Sequence, residues 1–206
     1  VGFDAVKAIV NAVGGVEIEL TESEAAYLNA TNYIRPAKYR NVKAGTHILN
    51  GAQALGYSRI RKQAKGITPV TPNGKMDDYG RTWRQRNVIN AIFNKAKGTS
   101  LPKLMDMAQT ILSKYVTTDL NSQDIIGYMK DVVMMGTMEI YQLQIPMDGY
   151  FTTQANYQAP GSTTNLGSVI LPDMTTNTAA LKDFIFKYKG TPGQEYTYGG
   201  STAAPQ

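Results

Sequence analysis

The sequence predicts an α/β fold, a layered sheet flanked by helices, and three observations carry that reading. Stretches with helical apolar spacing alternate with short strand-like runs along the 206 residues. A hydrophobic fraction of 42% suffices for one core at this length. The strand-like runs number only two or three, few for a complete sheet, so the chain reads as one part of a larger domain. Residues 1–189 form this domain and residues 190–206 a tail.

In chain order, Phe3, Val6, Val10 and Val13 recur at helical spacing until Gly14-Gly15 stops the run. Val16-Glu17-Ile18-Glu19-Leu20 alternates apolar and acidic residues, the pattern of a half-buried strand. Thr21 with Glu24 fits a capping box over a short helical turn. Asn29 to Lys43 is irregular and reads as loop. Asn50 is placed to cap a short helix through Ala52-Gln53-Ala54-Leu55. Lys62 to Lys75, punctuated by Gly66, Pro69, Pro72 and Asn73-Gly74, reads as a flexible excursion.

A long helix is predicted from about Asp78 to Lys97. A second follows through Leu101, Leu104, Met105, Ala108, Ile111, Leu112 and Tyr115, with Pro102 in its first turn. Ser122 is placed to cap a third that carries Ile125, Ile126, Met129, Val132 and Val133. Glu139 to Ile145 and Ser168 to Leu171 read as strands closed by Pro146 and Pro172, and Thr176 to Tyr188 as the last helix. Gly190 to Gln206, rich in Gly, Thr, Pro and Tyr, has no apolar period and reads as disordered.

Composition narrows the chemistry. Cysteine is absent, which removes disulfide, thiolate and cysteine-metal chemistry. One histidine, His47, argues against histidine-rich zinc sites and a Ser-His-Asp triad, and it reads as a loop residue. No apolar run of about 18 residues is present to span a bilayer. The first residues lack the layout of a signal peptide, so an anchor or export signal would lie outside these residues.

Charge is the most local feature. From Arg59 to Arg86 there are eight cationic residues (Arg59, Arg61, Lys62, Lys65, Lys75, Arg81, Arg84, Arg86) and two acidic ones (Asp77, Asp78), a balance of +6, whereas the whole chain carries +5. A surplus confined to one stretch marks a site rather than general affinity for polyanions. Five of the eight are arginines, whose planar forks recognise phosphate or carboxylate oxygens by two-point contact. On a helical wheel, Val88, Ile89, Ile92, Phe93 and Ala96 lie within roughly 80° of Asp78, and Arg81 and Gln85 share that sector. Trp83 and Arg84 fall outside it. The inward face therefore reads as polar at Asp78, Arg81 and Gln85 and apolar beyond.

Two readings of that face stand side by side. In one, Asp78 caps the helix and an aspartate pairs locally with Arg81. In the other, Arg59 and Arg61, two apart on an extended segment, join Arg81 around an anion, helped by the helix N-terminus.

Three motifs in order carry a resemblance. They are Phe3 to Val16 ending in Val13-Gly14-Gly15-Val16, then Ala44-Gly45 with Leu49-Asn50-Gly51, Gln53-Ala54-Leu55, Tyr57, Arg59 and Arg61, then Asp78-Tyr79-Gly80-Arg81 with Arg84-Gln85. Together they resemble the LytR-CpsA-Psr family over roughly residues 1 to 146, more weakly to about 188, with a longer Lys62 to Asp77 loop. The resemblance implies a membrane-anchored, extracytoplasmic enzyme of mainly Gram-positive bacteria. It would move an anionic glycopolymer, a teichoic acid or capsular polysaccharide, from a polyprenyl pyrophosphate carrier to peptidoglycan. By resemblance, Arg59, Arg61, Arg81 and Gln85 bind the pyrophosphate, Asp78 and Arg81 act in catalysis, and a magnesium ion assists. The family domain begins with a strand-rich half carrying an Arg-x-Asp motif, and this chain is expected to be the C-terminal part of such a domain, with the metal ligands outside it.

Phosphoryl transfer needs charge neutralisation and alignment, which arginines and magnesium supply without histidine or thiol. Val88, Ile92 and Phe93 continue the polar face and are groove candidates for a polyprenyl tail, or are plain core. A non-catalytic binder of anionic cell-wall polymers uses the same basic patch. Nucleic-acid binding is not expected, because no reading module accompanies the single Trp83.

Overall fold

The computed structural model describes residues 2–134, 139–187 and 196. It is a mixed α/β structure whose chain divides into two compact units, Val1–Met138 and Glu139–Gln206.

The first unit opens with α1 (Phe3–Ala12), which ends where Gly14 and Gly15 adopt φ of 83° and 91°. Only glycine takes two such left-handed steps in succession without steric cost. Strand β1 (Val16–Leu20) follows with its predicted alternation, Val16, Ile18 and Leu20 buried and both glutamates exposed. It pairs antiparallel with β2 (Gly45–Leu49), Val16 opposite Leu49 and Leu20 opposite Gly45. Sequence reading did not find β2, because only Leu49 of its five residues is buried and no alternation marks it.

Helix α2 (Glu22–Ala30) is a full helix rather than a turn, and Thr21 and Glu24 form the complete capping box. A 3₁₀ turn (Ala37–Tyr39) interrupts the irregular stretch before β2. Asn50 caps α3 (Gly51–Arg59), again with a full box through Gln53. Gly51 lets α3 approach α1 closely: a Cβ there would lie 2.7 Å from the Lys7 Cα. Asn11 Oδ1 accepts the Gly51 N–H at 2.8 Å across the same contact.

The long helix α4 (Asp77–Lys97) packs on α3 and β1. Together they close a core of Val10, Val16, Ile18, Leu20, Leu28, Ile34, Leu49, Tyr57, Ile60 and Val88. Helices α5 (Leu101–Tyr115) and α6 (Ser122–Met134) follow as predicted. The α6 cap is Asn121, whose Oδ1 accepts the Asp124 N–H at 2.9 Å, and not Ser122.

In the second unit, β3 (Phe151–Gln154) pairs antiparallel with β4 (Val169–Pro172) and α7 spans Met174–Lys187. Buried Asn177 ties this unit together: it accepts the Met147 N–H at 2.8 Å and donates to the Tyr150 and Asp173 carbonyls. The strand expected at 139–145 is not formed among the described residues, where Gln142 alone makes a bridge pairing. The Gln142 carbonyl accepts one amide, from Tyr196, at 2.8 Å. Apart from Tyr196, the segment read as a tail lies outside the described residues. Among the described residues no helix is long and apolar enough to cross a membrane.

Candidate functional site

The site is built where α3 ends and α4 begins. The α3 C-cap, Ile60, is fully buried, which points the chain outward again at Arg61. From the first turns of α4, Asp78 meets Arg61 from one side and Arg81 from the other. Asp78 Oδ1 lies 2.9 Å from Arg61 Nε and 2.8 Å from Arg81 Nη2. All three side chains are between 35% and 48% exposed, so the cluster faces solvent at its rim.

One carboxylate oxygen thus serves two guanidinium groups. These contacts are close but poorly directed: Asp78 Oδ1 makes no well-aligned hydrogen bond, and the buried Arg81 Nε has no hydrogen-bond partner. Two guanidinium groups share one carboxylate, a surplus of cation that an incoming anion would offset.

Arg59 does not join this group. Its guanidinium carbon lies 4.8 Å from the Phe3 ring centroid and 5.3 Å from that of Tyr33, so it stacks on aromatic faces. The Gln85 side chain is exposed and hydrogen-bonds to no described residue. Of the sequence-predicted residues, the structure therefore brings together Arg61, Asp78 and Arg81 and leaves Arg59 and Gln85 apart.

The predicted inward face of α4 is corrected. Its buried row is Gly80, Arg84 and Val88, not Asp78, Arg81 and Gln85. The true inward direction lies about 120° around the helix from the predicted one. Ile89, counted as inward, is 49% exposed, and Trp83, placed outside, packs against the core. Val88 is core at 3% exposure, so it does not line a groove, and Ile92 packs against the same cluster. Phe93 is half-buried.

The residue that sequence reasoning missed is Arg84. Both it and Glu24 are fully buried, and their Nε to Oε1 distance is 2.6 Å. Arg84 Nη1 donates to the Ile60 carbonyl at 3.3 Å and Nη2 to the Pro69 carbonyl at 3.2 Å. Glu24 spends its other oxygen on the Thr21 N–H at 3.0 Å. Burial pushes the Glu24 carboxyl above its ordinary value, and the Thr21 amide and Arg84 pull it part of the way back. The signal for Arg84 was its spacing of four from both Gly80 and Val88, which puts the three on one stripe.

The stretch read as a flexible excursion is fastened beside this pair. The Val70 carbonyl accepts the Thr21 hydroxyl at 2.8 Å, and the Val70 N–H reaches the Ser23 hydroxyl at 3.0 Å. Thr71, nearly fully buried, closes the turn to Lys75. His47 stays outside all this, exposed on β2 with its Nε2 2.9 Å from the Ala44 carbonyl.

Comparison with known proteins settles the family. The model of the LytR_cpsA_psr family matches residues 1–169. The chain belongs to the LytR-CpsA-Psr family. Among similar proteins is the polyisoprenyl-teichoic acid–peptidoglycan teichoic acid transferase TagU of Enterococcus faecalis (strain ATCC 700802 / V583). It is 30% identical over 163 residues, 77% of this chain and 45% of that protein. TagV of Bacillus subtilis (strain 168), which carries the same transferase name, is 28% identical over 120 residues, 58% of this chain and 27% of its own length. The chain thus spans less than half of either relative. The crystal structure of B. subtilis TagV matches in fold with a TM-score of 0.51 at 22% identity, over 92% of this chain and 63% of that one.

Magnesium, which LytR-CpsA-Psr membership implies, can be tested against the residues present. Among the described residues no three His, Cys, Asp or Glu side chains gather into a metal-ligating group. Asp78 is flanked by two guanidinium charges, which repel a divalent cation where it needs about six oxygen ligands. The described residues of this LytR-CpsA-Psr chain therefore do not fit a magnesium site by themselves.

Proposed function

We propose that this chain carries the arginine-lined part of a phosphotransferase site. Its substrate is an anionic glycopolymer, a teichoic acid or capsular polysaccharide, on a polyprenyl pyrophosphate carrier, and its acceptor is a hydroxyl of peptidoglycan. The observation that carries this reading is the convergence of Arg61 and Arg81, from two separated segments, on one oxygen of the half-exposed Asp78 side chain.

In the proposed reaction an acceptor hydroxyl oxygen attacks the phosphorus bonded to the glycopolymer. A new P–O bond forms, the bond to the bridging oxygen breaks, polyprenyl phosphate leaves with the electron pair, and the hydroxyl proton is released to water at the solvent-facing rim of the cluster. Arg61 and Arg81 neutralise charge on the phosphoryl oxygens, a role suited to planar two-point donors. Asp78 holds the two guanidinium groups at one spacing. Arg59, exposed and steadied on Phe3 and Tyr33, would hold a second phosphate or the polymer itself. Gln85 stands on the same side of α4 as Arg81 and is free to donate. A magnesium ion would draw its ligands from beyond the described residues. Membrane anchoring and an extracytoplasmic setting belong to the same proposal.

The test is polymer transfer by the complete protein with Arg61→Ala and Arg81→Ala. Losing either guanidinium should lower transfer about 100-fold or more while the melting temperature barely moves. Transfer at the wild-type rate by both variants would overturn the reading. Retained salt-dependent polymer binding without any preference for a pyrophosphate lipid would replace it with a non-catalytic binder.

A further inference from the structure

The geometry points to the buried Glu24–Arg84 pair as a positioning device that sets the backbone under Arg61, an inference that rests on the proposed binding of phosphate by Arg61. Arg84 spends its three kinds of donor on three different segments: Nε on Glu24 of α2, Nη1 on the Ile60 carbonyl, and Nη2 on the Pro69 carbonyl. The Ile60 carbonyl belongs to the peptide unit whose nitrogen is that of Arg61. A hydrogen bond to it fixes the plane from which the Arg61 side chain departs.

Arg84 also lies one turn beyond Arg81 on α4, so both cations facing Asp78 are referenced to a single rigid helix. Gly80 keeps the path open. A Cβ there would sit 3.0 Å from Arg84 Nη1 and 3.0 Å from the Lys75 carbonyl oxygen. Glu24 is itself locked, because its second oxygen closes the α2 capping box. Carboxylate, guanidinium and the chain on either side of Arg61 thus form one strut with little freedom. Arginine is required because a lysine at the same place pairs with Glu24 through a single ammonium and cannot span to both carbonyls.

The experiment compares the wild-type chain with Arg84→Lys, Arg61→Ala and Val10→Ala. Val10 is buried in the core on α1 and makes none of the strut's hydrogen bonds, so its truncation supplies a loss of melting temperature without breaking them. Inorganic pyrophosphate is titrated calorimetrically into each folded variant, and the Nε–H and backbone amide resonances of Arg61 are followed by NMR. Arg84→Lys should weaken pyrophosphate about 10-fold, toward Arg61→Ala, and shift both Arg61 resonances, while Val10→Ala does neither. If Arg84→Lys and Val10→Ala bind alike and the Arg61 resonances stay in place, the strut does not position Arg61. Should the wild type fail to bind pyrophosphate, the functional reading falls. The Arg61 resonances then decide the strut alone, moved supporting it and unmoved overturning it.

Discussion

Removing Glu24 tests the central contact of the first unit. In Glu24→Ala the Arg84 guanidinium stays fully buried and loses its 2.6 Å carboxylate partner, keeping only the carbonyls of Ile60 and Pro69 at 3.3 Å and 3.2 Å. Breaking one side of a buried ion pair costs roughly 3–5 kcal/mol, since the surviving charge is uncompensated. The same substitution strips the Thr21 N–H of its acceptor and opens the capping box, which adds about 1 kcal/mol. The sum is roughly 4–6 kcal/mol, and for a chain of this size it lowers the melting temperature by roughly 8–24 °C. Urea unfolding followed by far-ultraviolet circular dichroism measures it.

The paired variant Glu24→Leu with Arg84→Met separates the cost of desolvation from the gain of pairing. Apolar residues of similar volume remove both desolvation penalties together, so the double variant should recover to within about 2 kcal/mol of wild type. A loss below about 1 kcal/mol in Glu24→Ala would mean that the guanidinium is hydrated and not buried. A double variant as unstable as the single one would mean that an uncompensated charge is not what destabilises Glu24→Ala. Either result refutes the reading of Arg84 as a buried charge that Glu24 compensates.

Three further outcomes follow from the same geometry. Gly51→Ala should destabilise the first unit by about 1–3 kcal/mol or more, because the added Cβ meets the Lys7 backbone; an unchanged scanning-calorimetry profile would contradict the close crossing of α1 and α3. Thr21→Ala should cost about 1–2 kcal/mol and speed amide exchange at Val70, since one hydroxyl both caps α2 and holds the Val70 carbonyl; unchanged exchange would detach the loop from the cap. Asp173 accepts from the Thr176 hydroxyl and amide, which hold its carboxyl below the ordinary value of 3.8. Its contribution is fully present above that value and is lost as pH falls through the folded pKa. Asp173→Asn should therefore flatten the acid limb of the second unit's stability, read by thermal melts across roughly pH 2 to 5.

Much of the helical framework was legible because its signals are local. Thr21 with Glu24 and Asn50 with Gln53 sit at fixed offsets and form the boxes those offsets imply. The alternation in β1 survives as burial of Val16, Ile18 and Leu20. What failed depended on partners distant in sequence. The β2 strand is nearly all exposed and takes its conformation from β1, so its own residues carry no period. The Lys62 to Lys75 stretch looked free because its anchors are hydroxyls of Thr21 and Ser23, 47 to 49 residues away. The α4 wheel went wrong in its direction, which placed Arg81 inward and Arg84 outward although Arg84 is the buried one. Apolar residues alone then drew the inward direction toward Ile89, and the charge that defines the stripe was discarded.

The arginines divide their work according to burial. Four guanidinium groups, Arg59, Arg61, Arg81 and Arg84, face two carboxylates, Glu24 and Asp78. Depth decides which arginine receives a full partner. An uncompensated charge in the interior is far more costly than one at the rim, so Glu24 goes wholly to Arg84. Asp78 is then left to be shared, and Arg59 is left to aromatic faces. The surplus positive charge therefore collects at the half-exposed end of α4, where water has access. It does so because the interior has already been neutralised. The buried pair and the exposed cluster are in this sense one arrangement, and a change at Glu24 is felt at Arg61 without any contact between them.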